Sequence, residues 1–362
     1  MNSLIRGLGT AIPEHSIAQE DTVELARSFV YGNDDNVDAL PMLFRLTKVH
    51  RRSSVLLEAP NGKPYRQSFY PAAMTSDDRG PSTGKRMQRF AEEAPGLALV
   101  AAQRALKEAS MSSDEITHLV TVSCTGFYSP GVDVALINQL GLPSTVGRLN
   151  VGFMGCHGSL NGMRVVKAFA ESDPSARVLM CAVELCSLHY FYGWDSEKVV
   201  ANALFADGAG ALVAQARAKT GDEWKLADCS SLLVPDSEDA MSWTVGDHGF
   251  EMTLSPRVPN LINEKVLPWL NDWLAKHGLK IDDVASWAIH PGGPRIIQSV
   301  ASALDLSKSA TEVSSRILGD FGNMSSATIL FVIQQLQQQQ ASRPCVALAF
   351  GPGLIAEAAL FL

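Results

Sequence analysis

The chain has 362 residues, of which 46% are hydrophobic and 19% are charged, a balance typical of globular proteins. This length is enough to bury a large core, either as one domain or as two packed halves. The net charge of −8 argues against nucleic acid as a main partner, because nucleic-acid-binding surfaces are rich in Lys and Arg.

The first third of the chain combines short regular elements with a long irregular stretch. A strand is predicted over residues 4–12 and a helix over 21–29. Residues 54–83 are rich in Pro, Gly, Asp and Ser, so we expect an irregular segment that packs on the body or covers an entrance. Alanines and leucines recur on one face of 87–109, which predicts a helix that Pro95 kinks or divides.

A group of basic residues lies between the first helix and the irregular segment. Its members are Arg45, Lys48, His50, Arg51 and Arg52. In an otherwise acidic chain, such a group is either a solvated surface patch or a contact for a phosphorylated substrate. The residues alone favour neither interpretation over the other.

Strand-like and helical segments alternate from residue 117 onward. The predicted strands cover residues 117–124, 176–184, 287–289, 344–350 and 355–361. The predicted helices cover residues 132–140, 159–170, 258–277, 295–304 and 325–339. Residues 206–213 are expected to form a tight turn into another buried strand, and residues 318–323 a loop. The alternation predicts an α/β layered fold.

The two halves of the chain echo each other weakly. Each contains a small-residue bend followed by a helix, at residues 155–158 and at 322–325. This repeat favours a duplicated α/β unit with about five strands in each half. The polar residues 216–222 are the best candidate for the seam, which predicts an N-terminal half over 1–216 and a C-terminal half over 217–362.

The six cysteines indicate a reducing environment rather than a disulfide or metal framework. They lie at positions 124, 156, 181, 186, 229 and 345, and none forms a Cys-x-x-Cys pair. The sequence shows no secretory leader and no apolar run of membrane-spanning length, so we expect a cytoplasmic protein with free thiols and no membrane span. The histidine spacing suggests no metal site, and no cofactor is expected.

The segment 148–163 carries the strongest chemical signal in the chain. It begins like a buried strand, bends sharply at residues 155–158 and continues as a helix. Backbone N–H groups and the helix dipole at such a bend favour the thiolate, which is the nucleophilic form of a cysteine. Cys156 is therefore a candidate nucleophile, although a free cysteine is also explained as a small buried hydrophobe.

Three polar residues lie at bends of this kind, namely Cys156, His290 and Asn323. Active-site groups in α/β proteins are often found where strands end. A thiol, an imidazole and an amide together suit acyl transfer, because the imidazole can activate the thiol and N–H donors can stabilise a thioester oxygen that gains charge. Taken singly, His290 is also explained as a hydrogen-bonded core residue and Asn323 as a helix N-cap.

Four segments in the same order carry a family resemblance over nearly the whole chain. They are residues 151–162 around Cys156, the His-Pro-Gly-Gly-Pro motif at His290, the Gly-Asn-Met-Ser-Ser motif at Asn323 and the Gly-Pro-Gly motif at Gly351. They resemble the type III polyketide synthases, the chalcone synthase family. The resemblance implies a thiolase fold, five-layered αβαβα with two pseudo-repeated halves, in a homodimer. It also implies an acyltransferase that condenses malonyl-CoA iteratively, with loss of carbon dioxide, onto an acyl-CoA starter.

Individual roles follow from the same resemblance. Cys156 would accept the acyl group, while His290 and Asn323 would assist transfer and stabilise the enolate left when malonyl-CoA loses carbon dioxide. Phe205 matches a family phenylalanine between the CoA tunnel and the reaction cavity, and Gly351 is placed among the substrate-binding residues. The basic residues that lie roughly where the family grips CoA phosphates are Arg45, Lys48, Arg51 and Arg52.

Four residues depart from the plant enzymes of the family at the cavity wall. Met252 replaces a second gating phenylalanine, Trp243 replaces a small glycine, and Cys124 and His189 replace hydroxyl residues. Because these positions set the cavity volume, the plant starter and the chalcone product do not carry over to this chain. The segment 184–189 looks more like bacterial members, which make pyrones, resorcinols or naphthols.

Two other functions are compatible with the same residue types. An initiating β-ketoacyl synthase of fatty-acid synthesis also uses Cys, His and Asn, but it performs one condensation and takes malonyl from a carrier protein. A non-catalytic homologue that binds acyl-CoA is the second alternative. The motifs at His290 and Asn323 favour the polyketide synthase over the first, and the presence of Cys156, His290 and Asn323 together favours it over the second.

Overall fold

The computed structural model describes residues 2–32, 35–58 and 66–362. The strands of the first half are β1 (Asn2–Ala11), β2 (Ser16–Ala18), β3 (Arg51–Ser53), β4 (His118–Ser123), β5 (Gly147–Gly152), β6 (Arg177–Leu185) and β7 (Asp207–Arg217). Those of the second half are β8 (Trp224–Leu233), β9 (Met241–Gly246), β10 (Gly249–Leu254), β11 (Ser286–Ile289), β12 (Cys345–Gly351) and β13 (Ile355–Phe361).

The helices alternate with these strands in both halves. Those of the first half are α1 (Gln19–Arg27), α2 (Leu40–Leu46), α3 (Thr83–Ala109), α4 (Val132–Leu140), α5 (Gly158–Ser172) and α6 (Ser196–Leu204). Those of the second half are α7 (Val258–Ala275), α8 (Pro294–Ala303), α9 (Glu312–Phe321) and α10 (Thr328–Gln338).

Nine strands form one mixed sheet in the order β11-β12-β13-β8-β1-β7-β6-β4-β5. The two halves of this sheet repeat each other in order and direction. Strands β4 and β6 are parallel, as are β11 and β12, whereas β6 and β7 are antiparallel, as are β12 and β13. The half-sheets join where β1 pairs with β8, from Ser3 opposite Leu226 to Ile5 opposite Trp224. The repeat matches the duplicated unit that the sequence predicts.

The three largest parts of the hydrophobic core in the described chain are separated by the two half-sheets. Helices α5 and α10 contact strands of both halves and form the central layer, whose buried side chains include Leu160 and Leu330. Helix α3 packs with α4 on the outer side of the first half, and helices α7 and α8 pack on the outer side of the second. The order of layers is α, β, α, β, α, which is the five-layered arrangement that the family resemblance implies.

Glycines bring strand β7 close to the central layer. A Cβ atom on Gly208 would lie 2.3 Å from the sulfur of Met324, and one on Gly210 would lie 2.8 Å from Cβ of Leu330. The prediction of a tight turn over residues 206–213 is therefore wrong. Residues 207–213 already belong to the strand, and their glycines are needed because the segment that leads into α10 packs directly on them.

Strand β5 and helices α3 and α9 also differ from the predictions. Strand β5 is an edge strand with Leu149 40% exposed, so it is not the buried strand that its apolar residues suggest. Pro95 does not divide helix α3, which is continuous over Thr83–Ala109 and has buried side chains on both sides of the proline, such as Phe90 and Leu97. Residues 318–321 end helix α9 rather than form a loop, and the helix stops at Gly322, where φ is +75°.

The irregular segment predicted over residues 54–83 is only partly described. Residues 59–65 lie outside the described residues, and most of the remainder is non-repetitive up to the start of α3 at Thr83. Across the described ranges, no helix is both long enough and apolar enough to cross a membrane.

We expect Gly210→Val to lower the free energy of unfolding by roughly 1–3 kcal/mol, because the new side chain would collide with Leu330 in a fully packed core. Urea denaturation followed by circular dichroism measures the change. Gly221→Val is the matched control, since Gly221 lies in the exposed loop between β7 and β8 and has open space around it. Equal destabilisation of both variants would contradict the close packing of β7 on α10.

Candidate active site

Cys156 lies in a short 3₁₀ turn, Gly155–His157, between strand β5 and helix α5. Gly155 has φ of +74°, and a Cβ atom there would lie 2.3 Å from the ring of Pro352, so the turn needs glycine at this position. Pro352 follows strand β12 of the other half. The turn of the first half therefore packs directly against the second half. The Cys156 side chain remains partly accessible from the cavity that it lines.

Asn323 lies in the bend between α9 and α10 of the second half, as Cys156 lies in the bend before α5 of the first half. Its backbone pairs with the segment around Phe205, since Asn323 N donates to Leu204 O at 2.9 Å and Ala206 N donates to Asn323 O at 2.8 Å. Its side-chain Oδ1 accepts from Ser325 N at 2.8 Å, which fixes the orientation of the amide. The Nδ2 group is therefore free to point away from α10, where a weak bond of 3.4 Å links it to Gly292 O.

His290 follows strand β11 and is 1% exposed. Within the described part of the chain, neither ring nitrogen of His290 has a hydrogen-bond partner. A buried imidazole is normally paired, because an unpaired buried polar group costs about 1–3 kcal/mol. The prediction that His290 could be an ordinary hydrogen-bonded core histidine is therefore wrong, since both ring nitrogens are buried without a partner in the described part of the chain.

Cys156, His290 and Asn323 line one small cavity of about 30 Å³, together with Phe205 and Met252. A larger cavity of about 280 Å³ adjoins it, and Cys156, Phe205 and Met252 also line that cavity. The thiol thus lies at the junction between a small, mainly apolar chamber and a larger space.

Burial dominates the electrostatics of the thiol and the imidazole. It raises the pKa of Cys156 to about 11, although hydrogen bonds from the Ser325 and Asn323 side chains oppose the rise. Burial also lowers the pKa of His290 to about 3. Neither group is therefore expected to ionise alone, contrary to the expectation that the bend by itself favours a thiolate. A charge on either group therefore needs an opposite charge or a hydrogen-bond donor beside it to compensate the desolvation.

The wall of the larger cavity contains the predicted residues Cys124, His189 and Trp243. Trp243 Nε1 donates to Cys124 O at 2.7 Å, and its ring meets Phe250 edge to face. His189 Nδ1 accepts from Phe250 N at 2.9 Å, so Nε2 carries the hydrogen and donates to Thr125 O at 2.6 Å. Burial lowers the pKa of His189 to about 3, so the ring is neutral. The wall is therefore aromatic and held in place by hydrogen bonds.

Two residues that the sequence analysis did not single out support this site. Ser325 has φ of +45°, and its hydroxyl lies 3.6 Å from the Cys156 sulfur and 3.0 Å from the Cys124 sulfur. Glu184 is fully buried and accepts hydrogen bonds from Cys124 N, the Thr125 hydroxyl and the hydroxyl of Ser326. Burial raises the Glu184 pKa. Glu184 could have been identified from the sequence, because it is a carboxylate near the end of an apolar strand.

The basic residues divide into two groups. Arg45, Lys48 and Arg51 are exposed, so they remain candidates for contact with phosphate groups. Arg52 is 3% exposed, and its guanidinium donates to Asn202 O at 2.5 Å and Phe205 O at 2.8 Å. The prediction that Arg52 contacts a phosphate is therefore wrong, because its guanidinium bonds to carbonyl groups at the C-terminal end of α6.

The close packing around position 351 explains why this residue is a glycine. A Cβ atom there would lie 2.3 Å from the His157 ring, so Gly351 allows that buried ring to pack against β12. The neighbouring Pro352 is the residue of this turn that lines the larger cavity. Among the residues that the structure describes, no group of three or more His, Cys, Asp or Glu side chains is arranged to hold a metal ion.

Comparison with known families matches both halves of the chain. The family model for the N-terminal domain of chalcone and stilbene synthases matches residues 2–217, and the model for their C-terminal domain matches residues 225–362. The intervening residues form the loop between β7 and β8.

Individual relatives cover most of the chain. The alpha-pyrone synthesis polyketide synthase-like Pks18 of Mycobacterium tuberculosis is 32% identical over 99% of this chain and 91% of its own length. The 1,3,6,8-tetrahydroxynaphthalene synthase of Streptomyces peucetius is 34% identical over 72% of each chain. The crystal structure of PKS-I from the brown alga Ectocarpus siliculosus superposes with a TM-score of 0.93 at 30% identity, covering 99% of this chain and 98% of that one.

We expect His290→Gln to slow the alkylation of Cys156 by iodoacetamide at pH 7 by roughly 10²-fold, because a base that accepts the thiol proton is lost. In that variant the rate should rise about ten-fold per pH unit between pH 7 and 10, since burial places the thiol pKa near 11. Peptide mapping by mass spectrometry gives the rate at Cys156. His277→Gln, on the surface beside Asp228, is the matched control. Equal rates in wild type and His290→Gln would exclude His290 as the base.

Proposed function

The chain belongs to the chalcone and stilbene synthase family and is a type III polyketide synthase, and on this basis we propose that it extends an acyl-CoA starter held on Cys156 with malonyl-CoA. The observation that carries the proposal is the cavity that Cys156 shares with Asn323 and with the unpaired ring of His290. Burial there strengthens the effect of a donor on a developing negative charge.

Loading of the starter requires a thiolate at Cys156. His290 accepts the thiol proton, and the sulfur attacks the thioester carbon of the acyl-CoA. The bond between that carbon and the CoA sulfur then breaks, and the CoA thiolate leaves with the proton from His290. The products are an acyl thioester on Cys156 and free CoA. The partly accessible position of Cys156 at the junction of the two cavities supports this role.

Decarboxylation of malonyl-CoA requires donors at the thioester oxygen. When carbon dioxide leaves, the electron pair of the broken C–C bond forms an enolate whose charge lies largely on that oxygen. The neutral His290 ring supplies one N–H donor and the Asn323 amide supplies another. Ser325 supports the second donor, because its backbone N–H holds Asn323 Oδ1 and so directs the NH₂ group of the amide away from α10.

Condensation returns the enzyme to its starting form. The enolate carbon attacks the acyl thioester on Cys156, a C–C bond forms, and the C–S bond breaks to release the Cys156 sulfur. The product is a β-ketoacyl-CoA that is longer by two carbons, and it can be loaded again. The larger cavity of about 280 Å³ offers space for the growing chain beside the thiol. Cyclisation of the finished chain then gives a pyrone, a resorcinol or another phenolic product.

Two surface features support further parts of the proposal. Arg45, Lys48 and Arg51 are exposed cations that would meet the phosphates of CoA. Large apolar side chains are exposed around the edge strand β5, which supports a homodimer, since exposed apolar groups and an uncovered strand edge both favour association. These side chains are Phe127, Leu149, Phe153 and Met154.

We expect Cys156→Ala to abolish loading of the starter, and Asn323→Ala to lower carbon dioxide release from malonyl-CoA by roughly 10²-fold, because one enolate donor is lost. Intact mass spectrometry measures loading and released radiolabelled carbon dioxide measures decarboxylation. Cys229→Ala, which removes a thiol from strand β8, is the control. Acyl-loaded Cys156→Ala protein or near-normal carbon dioxide release by Asn323→Ala would contradict the assigned roles.

The same assay distinguishes this function from its alternatives. Multi-ketide products from malonyl-CoA without a carrier protein support a polyketide synthase. A strict requirement for a carrier protein would instead support an initiating β-ketoacyl synthase. Binding of acyl-CoA without any carbon dioxide release would support a non-catalytic homologue.

We expect Trp243→Gly to raise kcat/KM for bulky aromatic acyl-CoA starters relative to acetyl-CoA by about ten-fold, because it removes a large ring from the cavity wall. Thr244→Gly is the matched control, since this neighbour on the same strand has an exposed side chain. Steady-state kinetics with a panel of acyl-CoA thioesters provides the measurement. An unchanged preference in Trp243→Gly, or the same change in Thr244→Gly, would refute the role of the indole.

A further inference from the structure

The hairpin of β9 and β10 forms a wall of the cavity but lies outside the main sheet. Its two strands pair only as a separate two-stranded sheet, in which Trp243 lies opposite Met252. Both of these residues and Phe250 line the larger cavity, and Met252 also lines the small chamber. The position of the hairpin therefore helps to set the volume next to Cys156.

The tip of the hairpin is held by the start of helix α3. The Thr83 hydroxyl donates to Gly246 O and accepts from Gly249 N at 2.9 Å, while Thr83 N donates to Asp247 O at 2.8 Å. One threonine at the start of α3 thus bonds to both sides of the tip. Because α3 belongs to the first half and the hairpin to the second, these bonds fix the hairpin across the two halves.

The side chains packed beneath the tip of the hairpin restrict where the tip can lie. Gly249 has φ of +111°, and a Cβ atom there would lie 2.9 Å from the Arg86 guanidinium. Arg86 is fully buried and donates to Leu188 O and Tyr190 O, the carbonyls on either side of His189. The first turns of α3 therefore hold the hairpin and the His189 segment, which together carry the aromatic wall.

We propose that Thr83 is a positioning residue that sets the length of the polyketide, because its hydrogen bonds hold Trp243 and Met252 at the cavity wall. This inference rests on the proposed function, since it concerns the product of that reaction. Without the hydroxyl, the buried Gly249 N–H loses its acceptor and Gly246 O loses its donor, so the tip keeps only the backbone bond between Thr83 N and Asp247 O at this contact. The wall can then move outward, and the chain on Cys156 gains room for further extension before it cyclises.

The test compares Thr83→Val, which is close to threonine in shape but lacks the hydroxyl, with Thr83→Ser, which keeps it. In Thr83→Val, amide exchange measured by mass spectrometry should become about ten-fold faster over residues 241–254. The ratio of longer to shorter products from malonyl-CoA and a fixed starter should rise about five-fold. The rate of carbon dioxide release without starter should stay at the wild-type value, and Thr83→Ser should restore both exchange and products.

A second variant covers the case in which Thr83→Val does not fold. Gly249→Ala should shift exchange and products in the same direction, because its methyl group would push the tip away from Arg86. Wild-type exchange and wild-type products in a folded Thr83→Val protein would overturn the role of Thr83, as would failure of Thr83→Ser to restore them. If the wild-type protein makes no ketide product at all, the proposed function itself fails, whatever the exchange shows.

Discussion

The structure depends on the close contact between the starts of helices α5 and α10 at the centre of the molecule. The Ser159 hydroxyl donates to Ser326 O at 2.6 Å, and a Cβ atom on Gly158 would lie 3.4 Å from Cβ of Ser326. Only small residues permit this distance between two buried helices. Because each helix is preceded by a bend that carries a polar side chain, the contact brings Cys156 and Asn323 together from opposite halves of the chain.

The same burial determines the electrostatics of the site. The Cys156 thiol and the His290 imidazole are both held neutral by desolvation, so a charge forms there only when an opposite charge or a hydrogen-bond donor compensates it. Glu184, by contrast, is buried with donors from both halves, including the hydroxyl of Ser326. It ties the loop after β4 to the start of α10 and therefore acts on the geometry of the site rather than on the reacting atoms.

Local sequence patterns correctly predicted the helices and strands whose boundaries are set by their own residues. Helix α4 begins and ends where its periodicity places it, at residues 132–140, and the last strand covers residues 355–361 as expected. The predictions failed where distant residues decide the environment. Arg52 is buried because carbonyl groups some 150 positions away accept its N–H groups. The positions of Cys156, His290 and Asn323 at bends suggested that they act together, and the resemblance supported this. No local pattern, however, contains the contact between α5 and α10.

The residues proposed to react and the residues that shape the cavity lie in different parts of the fold. The groups proposed to react lie on the central layer and at the ends of buried strands, where close packing on both sides leaves little freedom. Trp243 and Met252 lie on a two-stranded hairpin that is joined to the body through its ends and a few side-chain contacts. A change in the hairpin can therefore alter the space beside the thiol without moving the imidazole or the amide. One fold can host different functions through changes at such separable parts.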